Sequence, residues 1–149
     1  MLDQRLVTTP ITASAGTRIG IDLVQVRRIA QSLEMFGERF VKRLFAPAER
    51  LDCTVDGRLD VRRLALRFAA KEATIKAFDL SAAGIRWSEI EMRCEAGADT
   101  SGRIRLHGRA AAAAALAGDC EIAVSSTLDD ELACAIVVAL PGSSAPIHA

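Results

Sequence analysis

The chain has no excess of charge in either direction: nineteen lysines and arginines balance nineteen aspartates and glutamates. That balance removes any global electrostatic case for nucleic acid or an anionic membrane as partner, so a basic patch has to be local. Long hydrophobic runs are missing too. The longest, Leu132 to Leu140, has nine residues, less than half of the ~20 that a helix needs to cross a bilayer. The first sixteen residues contain Asp3, Arg5 and Pro10 and no apolar core segment, so they read as an extension rather than a secretory signal. There is no internal repeat, no phosphate-binding G-x-x-x-x-G-K loop and no G-x-G-x-x-G. The four cysteines, at 53, 94, 120 and 134, form no C-x-x-C pair and have no histidine neighbour, which excludes zinc and redox motifs on spacing. Cys94, Cys120 and Cys134 sit in apolar stretches, where a reduced thiol behaves as a small hydrophobe, and a cytoplasmic compartment follows naturally. His107 and His148 are too far apart in sequence to make a metal site or a triad.

What is present suits one domain. Half of the 149 residues are hydrophobic and about a quarter charged, enough for a real core. Alternation over residues 17–24 predicts a strand, and apolar spacing predicts a helix over 24–36 that Gly37 ends. A second short helix spans 38–45 and stops before Pro47, with a further turn or helix in AERLDC. Asp56-Gly57 marks a loop before a long helix from about Asp60 to Phe78. Strands over 85–94 and 103–107 flank a hairpin-like loop at 97–102. An alanine-rich helix over 108–116 closes at Gly118, and strands over 121–127 and 132–140 meet at Asp129-Asp130. This order predicts an α+β fold, a mostly antiparallel sheet packed with a long central helix, over 17–140 between flexible tails at 1–16 and 141–149.

Three groups of residues invite a functional reading. Within RFAAKEATIKA, Arg67 to Ala77, Glu72 and Lys76 are four apart and share a helix face. An acid and an ammonium together suit a cation held beside a phosphate; the plainer reading is a surface ion pair. Asp22 lies in an otherwise apolar strand, where a carboxylate needs either a partner such as a cation or a place at an edge or cap. Arg27, Arg28, Arg39, Lys42 and Arg43 fall within seventeen positions on adjacent short helices. They make either a local surface for an acidic partner or a solvated helix face.

A strand reading Gly20-Ile21-Asp22-Leu23-Val24, a helix reading R-F-A-A-K-E-A-x-x-K-A and a following W-x-E-I-E strand together resemble the holo-[acyl-carrier-protein] synthase family, small 4′-phosphopantetheinyl transferases. The resemblance runs from about Arg18 to Ala139, and the fifty residues between Asp22 and Glu72 match the small bacterial type. It implies Asp22 and Glu72 as ligands of Mg²⁺, with Glu72 and Lys76 catalytic. It implies coenzyme A as the substrate, with Arg67, Lys71, Lys76 and Gly108 as its contacts, and an acidic acyl carrier protein docking on Arg28, Arg39 and Arg43. A homotrimer is implied as well, its active sites between subunits and its coenzyme A pockets completed by strands near 104–108 and 123–128 of a neighbour.

Two stretches depart from the family pattern. Phe78-Asp79-Leu80-Ser81 replaces a Gly-Thr-Gly-like loop, and Leu128 stands where many members carry histidine. A competing class is therefore a trimeric carrier-protein-binding module with a blocked coenzyme A pocket. A third is a Mg²⁺-nucleotide enzyme acting on another substrate.

Overall fold

A computed structural model describes residues 16–95 and 100–142. The expected tails fall almost wholly outside the described residues, as does half of the expected loop at 97–102; its last two residues, Ser101 and Gly102, already belong to a strand. Strand β1 (Arg18–Gln25) leads directly into α1 (Val26–Phe36), and Gly37 ends that helix with φ 56°. Helices α2 (Glu38–Leu44) and α3 (Pro47–Asp52) follow; Pro47 opens α3, where its missing N–H costs nothing. A small hairpin, β2 (Thr54–Val55) and β3 (Arg58–Leu59), turns on Asp56 and Gly57, both at positive φ. The sequence reading had only a loop there, although Asp-Gly is a strong hairpin signal.

Helix α4 (Val61–Phe78) is the long central helix. The Asp60 carboxylate accepts from the amides of Arg62 (2.9 Å) and Arg63 (3.3 Å), which fixes its start. Asp79 ends it in the left-handed conformation at φ 54°, ψ 48°. Strands β4 (Ile90–Cys94) and β5 (Ser101–Leu106), helix α5 (Gly108–Ala115), then β6 (Cys120–Leu128) and β7 (Leu132–Pro141) complete the order. The five long strands form one sheet in the order β1-β7-β6-β5-β4, antiparallel throughout.

The core lies between α4 and one face of this sheet, and small residues set how close the two layers come. On α4, Ala65, Ala69, Ala70 and Ala73 are fully buried; on the facing side of β7 so are Ala133, Ala135, Val137 and Ala139. On β1 the approach is closest at Gly20, where an added Cβ would lie 1.8 Å from the carbonyl oxygen of Ala73. No side chain fits between these two backbones. Asp22 points to this same inner face, two residues further along β1.

The opposite face of the sheet is different. Ile19, Ile21 and Leu23 of β1 and Ile136 and Leu140 of β7 are 42–61% exposed. Ile21 pairs with Ile136 across the ladder, so these side chains form one continuous apolar surface. No disulfide joins the four cysteines. The most deeply buried is Cys53, and burial pushes its thiol pKa up to about 12.

Candidate active site

Asp22 and α4 meet at a cleft of about 700 Å³. Asp22, Arg28, Phe68, Glu72 and Lys76 all line it, with Gln25, Ser32, Phe40 and Leu132 among the rest of its walls. The helical repeat explains the set: Phe68, Glu72 and Lys76 are successive i, i+4 positions and form one row. Phe68 is fixed by stacking on Trp87, centroids 5.0 Å apart and planes 8° from parallel.

The charges in the cleft are paired in a way the spacing alone did not indicate. Lys76 does not pair with Glu72. Its Nζ reaches across to β1, donating to Asp22 Oδ1 at 2.6 Å and to the carbonyl of Ile21 at 3.2 Å. Asp22 thus has the cationic partner that its place in an apolar strand called for. The bond to Asp22 is the chief reason the Lys76 amine holds its proton more tightly than an ordinary lysine. Glu72 is pushed up from the usual carboxylate range, first by partial burial and then by the nearby Asp22 charge, with Lys76 opposing. Two carboxylates from separate elements therefore face one cleft, and one ammonium is engaged between them and solvent.

Residues 18–137 match the family model described as the 4′-phosphopantetheinyl transferase superfamily, ACPS. The chain belongs to that superfamily. Among curated relatives, holo-[acyl-carrier-protein] synthase of Chloroflexus aurantiacus is 42% identical over 134 residues, covering 83% of this chain and 97% of the relative. That of Koribacter versatilis is 38% identical over 120 residues, covering 80% of this chain and 94% of the relative. A solved ACPS-CoA complex from Chronobacterium ammoniagenes superposes with a TM-score of 0.69 at 30% identity. It covers 84% of this chain and 97% of that one. The α+β superfamily fold expected from the sequence is the one found.

Not all of the expected site residues come together. Lys71, expected at a coenzyme A phosphate, is fully buried and lies outside the cleft. Its Nζ pairs with Glu49 Oε2 at 2.6 Å and donates to the carbonyls of Trp87 (3.2 Å) and Ile90. The same Glu49 carboxylate accepts from the amides of Ala46 and Met92, each at 2.9 Å. Lys71 and Glu49 together tie α3, α4 and β4. Burial lowers the Lys71 pKa, and Glu49 opposes that shift. Glu49 was missed in the sequence; its place three residues after Ala46, at the start of a proline-opened helix, is the signal that could have found it.

Arg67 is 3% exposed, with its guanidinium 3.7 Å from Asp52 and 3.4 Å from Cys94 Sγ. It too stands apart from the cleft. The reason is angular: Arg67 and Lys71 form the next row round α4, about 100° from the Glu72 row. Gly108 opens α5 at φ 52°, so tight against Glu89 that a Cβ would lie 2.7 Å from its Oε1, and within one chain it does not line the cleft.

The basic residues divide as well. Arg28 lines the cleft, whereas Arg39 and Arg43 line a separate groove of about 680 Å³ with Met35, Phe36, Phe40 and Leu44. Lys42 is paired with Glu38 at 2.8 Å, and Arg27 with Gln25 at 3.1 Å. In the altered loop, Asp79 is exposed, Leu80 is 1% exposed and residues 80–82 form a short 3-10 turn. Of residues 78–81, none lines the cleft.

The buried pair yields a prediction. Lys71→Met leaves Glu49 charged, buried and short of its cation, which should cost about 3–5 kcal/mol. A thermal melt should show Tm falling by roughly 10 °C. An unchanged Tm with weakened coenzyme A binding would return Lys71 to the substrate site.

Proposed function

We propose that this protein transfers the 4′-phosphopantetheine group of coenzyme A to a serine of an apo acyl carrier protein and releases 3′,5′-ADP, with Mg²⁺ required. The observation that carries this reading is the convergence of Asp22, Glu72 and Lys76 on one open cleft. The donor set fits magnesium. Two carboxylates face the same space, and their repulsion contributes to raising the Glu72 pKa. A hard ion held by one or two carboxylates, with water and substrate phosphate completing its shell, is how magnesium is usually bound. Asp22 and Glu72 would hold it, and when bound it supplies charge neutralisation at the phosphate oxygens.

The chain's own groups account for the rest. The carrier serine Oγ attacks the β-phosphorus of coenzyme A, and the bond from that phosphorus to the bridging oxygen breaks. The leaving 3′,5′-ADP takes the electron pair. Glu72, directly or through a water, would accept the serine proton. The Lys76 ammonium neutralises charge building on the transferred group and the leaving oxygen. Arg28, which lines the same cleft from α1, adds a second cation for the phosphates or for an acidic carrier helix approaching the cleft.

The binding-module alternative rests on the departure at Asp79. Residues 78–81 do not line the cleft, which favours the enzyme. Incubating an apo carrier protein with this protein, coenzyme A and Mg²⁺ should add one phosphopantetheine by mass spectrometry, and a metal-free control should add none. Glu72→Gln should keep the fold and lose transfer by at least about 100-fold, since an amide neither binds the metal well nor takes the proton. Near wild-type turnover in that variant sinks the mechanism.

Arg39 and Arg43, set among Met35 and Phe36, offer an acidic amphipathic helix both charge pairing and apolar contact. Arg39→Glu with Arg43→Glu should raise the carrier KM about tenfold and leave the coenzyme A KM unchanged. A fall in kcat alone would remove this groove from docking.

The sheet face of β1 and β7 gathers Ile19, Ile21, Leu23, Ile136 and Leu140 on one exposed side, and a contiguous apolar patch of this kind marks a contact surface. It suits association of three copies, in line with the family resemblance. Sedimentation should give three chain masses, and Ile136→Glu should reduce this to one. A wild-type chain that sediments as a monomer ends the trimer proposal.

A further inference from the structure

Lys76 sits where a cation is needed. Its ammonium is 2.6 Å from Asp22 Oδ1, and the two side chains differ in exposure, 55% for Lys76 and 15% for Asp22. The lysine end of the pair is thus held at the cleft wall by two acceptors, Asp22 and the Ile21 carbonyl, while about half of the side chain stands in solvent. Glu72 faces the same cleft with no ammonium of its own.

We propose that Lys76 is a built-in counter-ion that a divalent cation displaces from Asp22, so that metal uptake and release of Lys76 into the cleft are one exchange. This rests on the reading of Asp22 and Glu72 as metal ligands. The carboxylate oxygen that a metal would take is the one the ammonium already holds, and a divalent ion beside a fixed ammonium would be repelled by it. Swinging Lys76 away is easy because an ion pair with one half-exposed partner is weak.

The exchange changes the charge of the cleft. Asp22, Glu72, Lys76 and Arg28 sum to zero. A divalent ion on the two carboxylates raises that to two positive charges and leaves Lys76 and Arg28 both uncompensated. The cleft therefore attracts a polyphosphate more strongly once the metal is in place.

The test uses Mn²⁺ as the probe on the full chain, with binding read by calorimetry and by the electron-spin signal of free Mn²⁺. Lys76→Met, at an exposed position, should keep the fold and lower the Mn²⁺ Kd about fivefold, the scale of one partly exposed ion pair. Asp22→Asn should abolish binding. The chain has only three lysines, Lys42, Lys71 and Lys76, so their ¹⁵N ammonium signals are separable, and Lys76→Met identifies one by its loss. Mg²⁺ should move the Lys76 signal and leave that of the buried Lys71 in place. Equal Kd values for wild type and variant, or weaker binding by the variant, overturn the exchange while leaving the metal reading intact. No Mn²⁺ uptake by either protein overturns both.

Discussion

The contact between Gly20 and the backbone of Ala73 is the constraint on which the site depends. It is a contact between main chains, with no side chain to relax, because a Cβ at position 20 would lie 1.8 Å from a carbonyl oxygen. Strand β1 is an edge strand, hydrogen-bonded to β7 alone, so its other restraint is α4. Locking β1 onto α4 at residue 20 fixes where residue 22 emerges, opposite the turn of α4 that carries Glu72 and Lys76. The alanines on α4 and β7 extend the same close approach along the layer. A core of larger side chains would separate helix and sheet and move the two carboxylates apart. Packing and function here are one requirement.

That dependence explains how much of the molecule was legible in its sequence. Period-two alternation placed β1 to within one residue at each end and found the end of β4, since a half-buried strand writes its two faces into adjacent residues. β4 itself begins only at Ile90, five residues after the expected start, because Trp87–Glu89 form a 3-10 turn. Gly37, Pro47 and Asp60 marked helix ends by chemistry the structure repeats. Asp22 was legible because an acid in an apolar strand poses a question of pairing. Helix α4 was harder. It is buried on most sides, with residues from Leu64 to Phe78 packed all round, so its pattern names a helix without naming a functional face. Both the Arg67-Lys71 row and the Phe68-Glu72-Lys76 row carry charge. Only the direction in which β1 and α3 pack separates them, and that is tertiary information. Lys71 was therefore assigned to a substrate and is found on Glu49.

The two lysine-acid pairs on α4 show how burial divides one chemistry into two roles. Lys71 and Glu49 are both fully buried, and the carboxylate also accepts two backbone amides. Opening that pair would strand the Glu49 charge and the Trp87 and Ile90 carbonyls without water, so it serves as a fixed tie between α3, α4 and β4. Lys76 and Asp22 meet at the same 2.6 Å, yet more than half of the Lys76 side chain is in water. Water takes over the bonds of a departing ammonium there, and the carboxylate left behind faces an open cleft where another cation can reach it. The distance between partners is the same in both pairs. Access of solvent to the partner that must move decides which pair is structural and which is exchangeable, and the 3.6-residue pitch of α4 puts one of each within five residues.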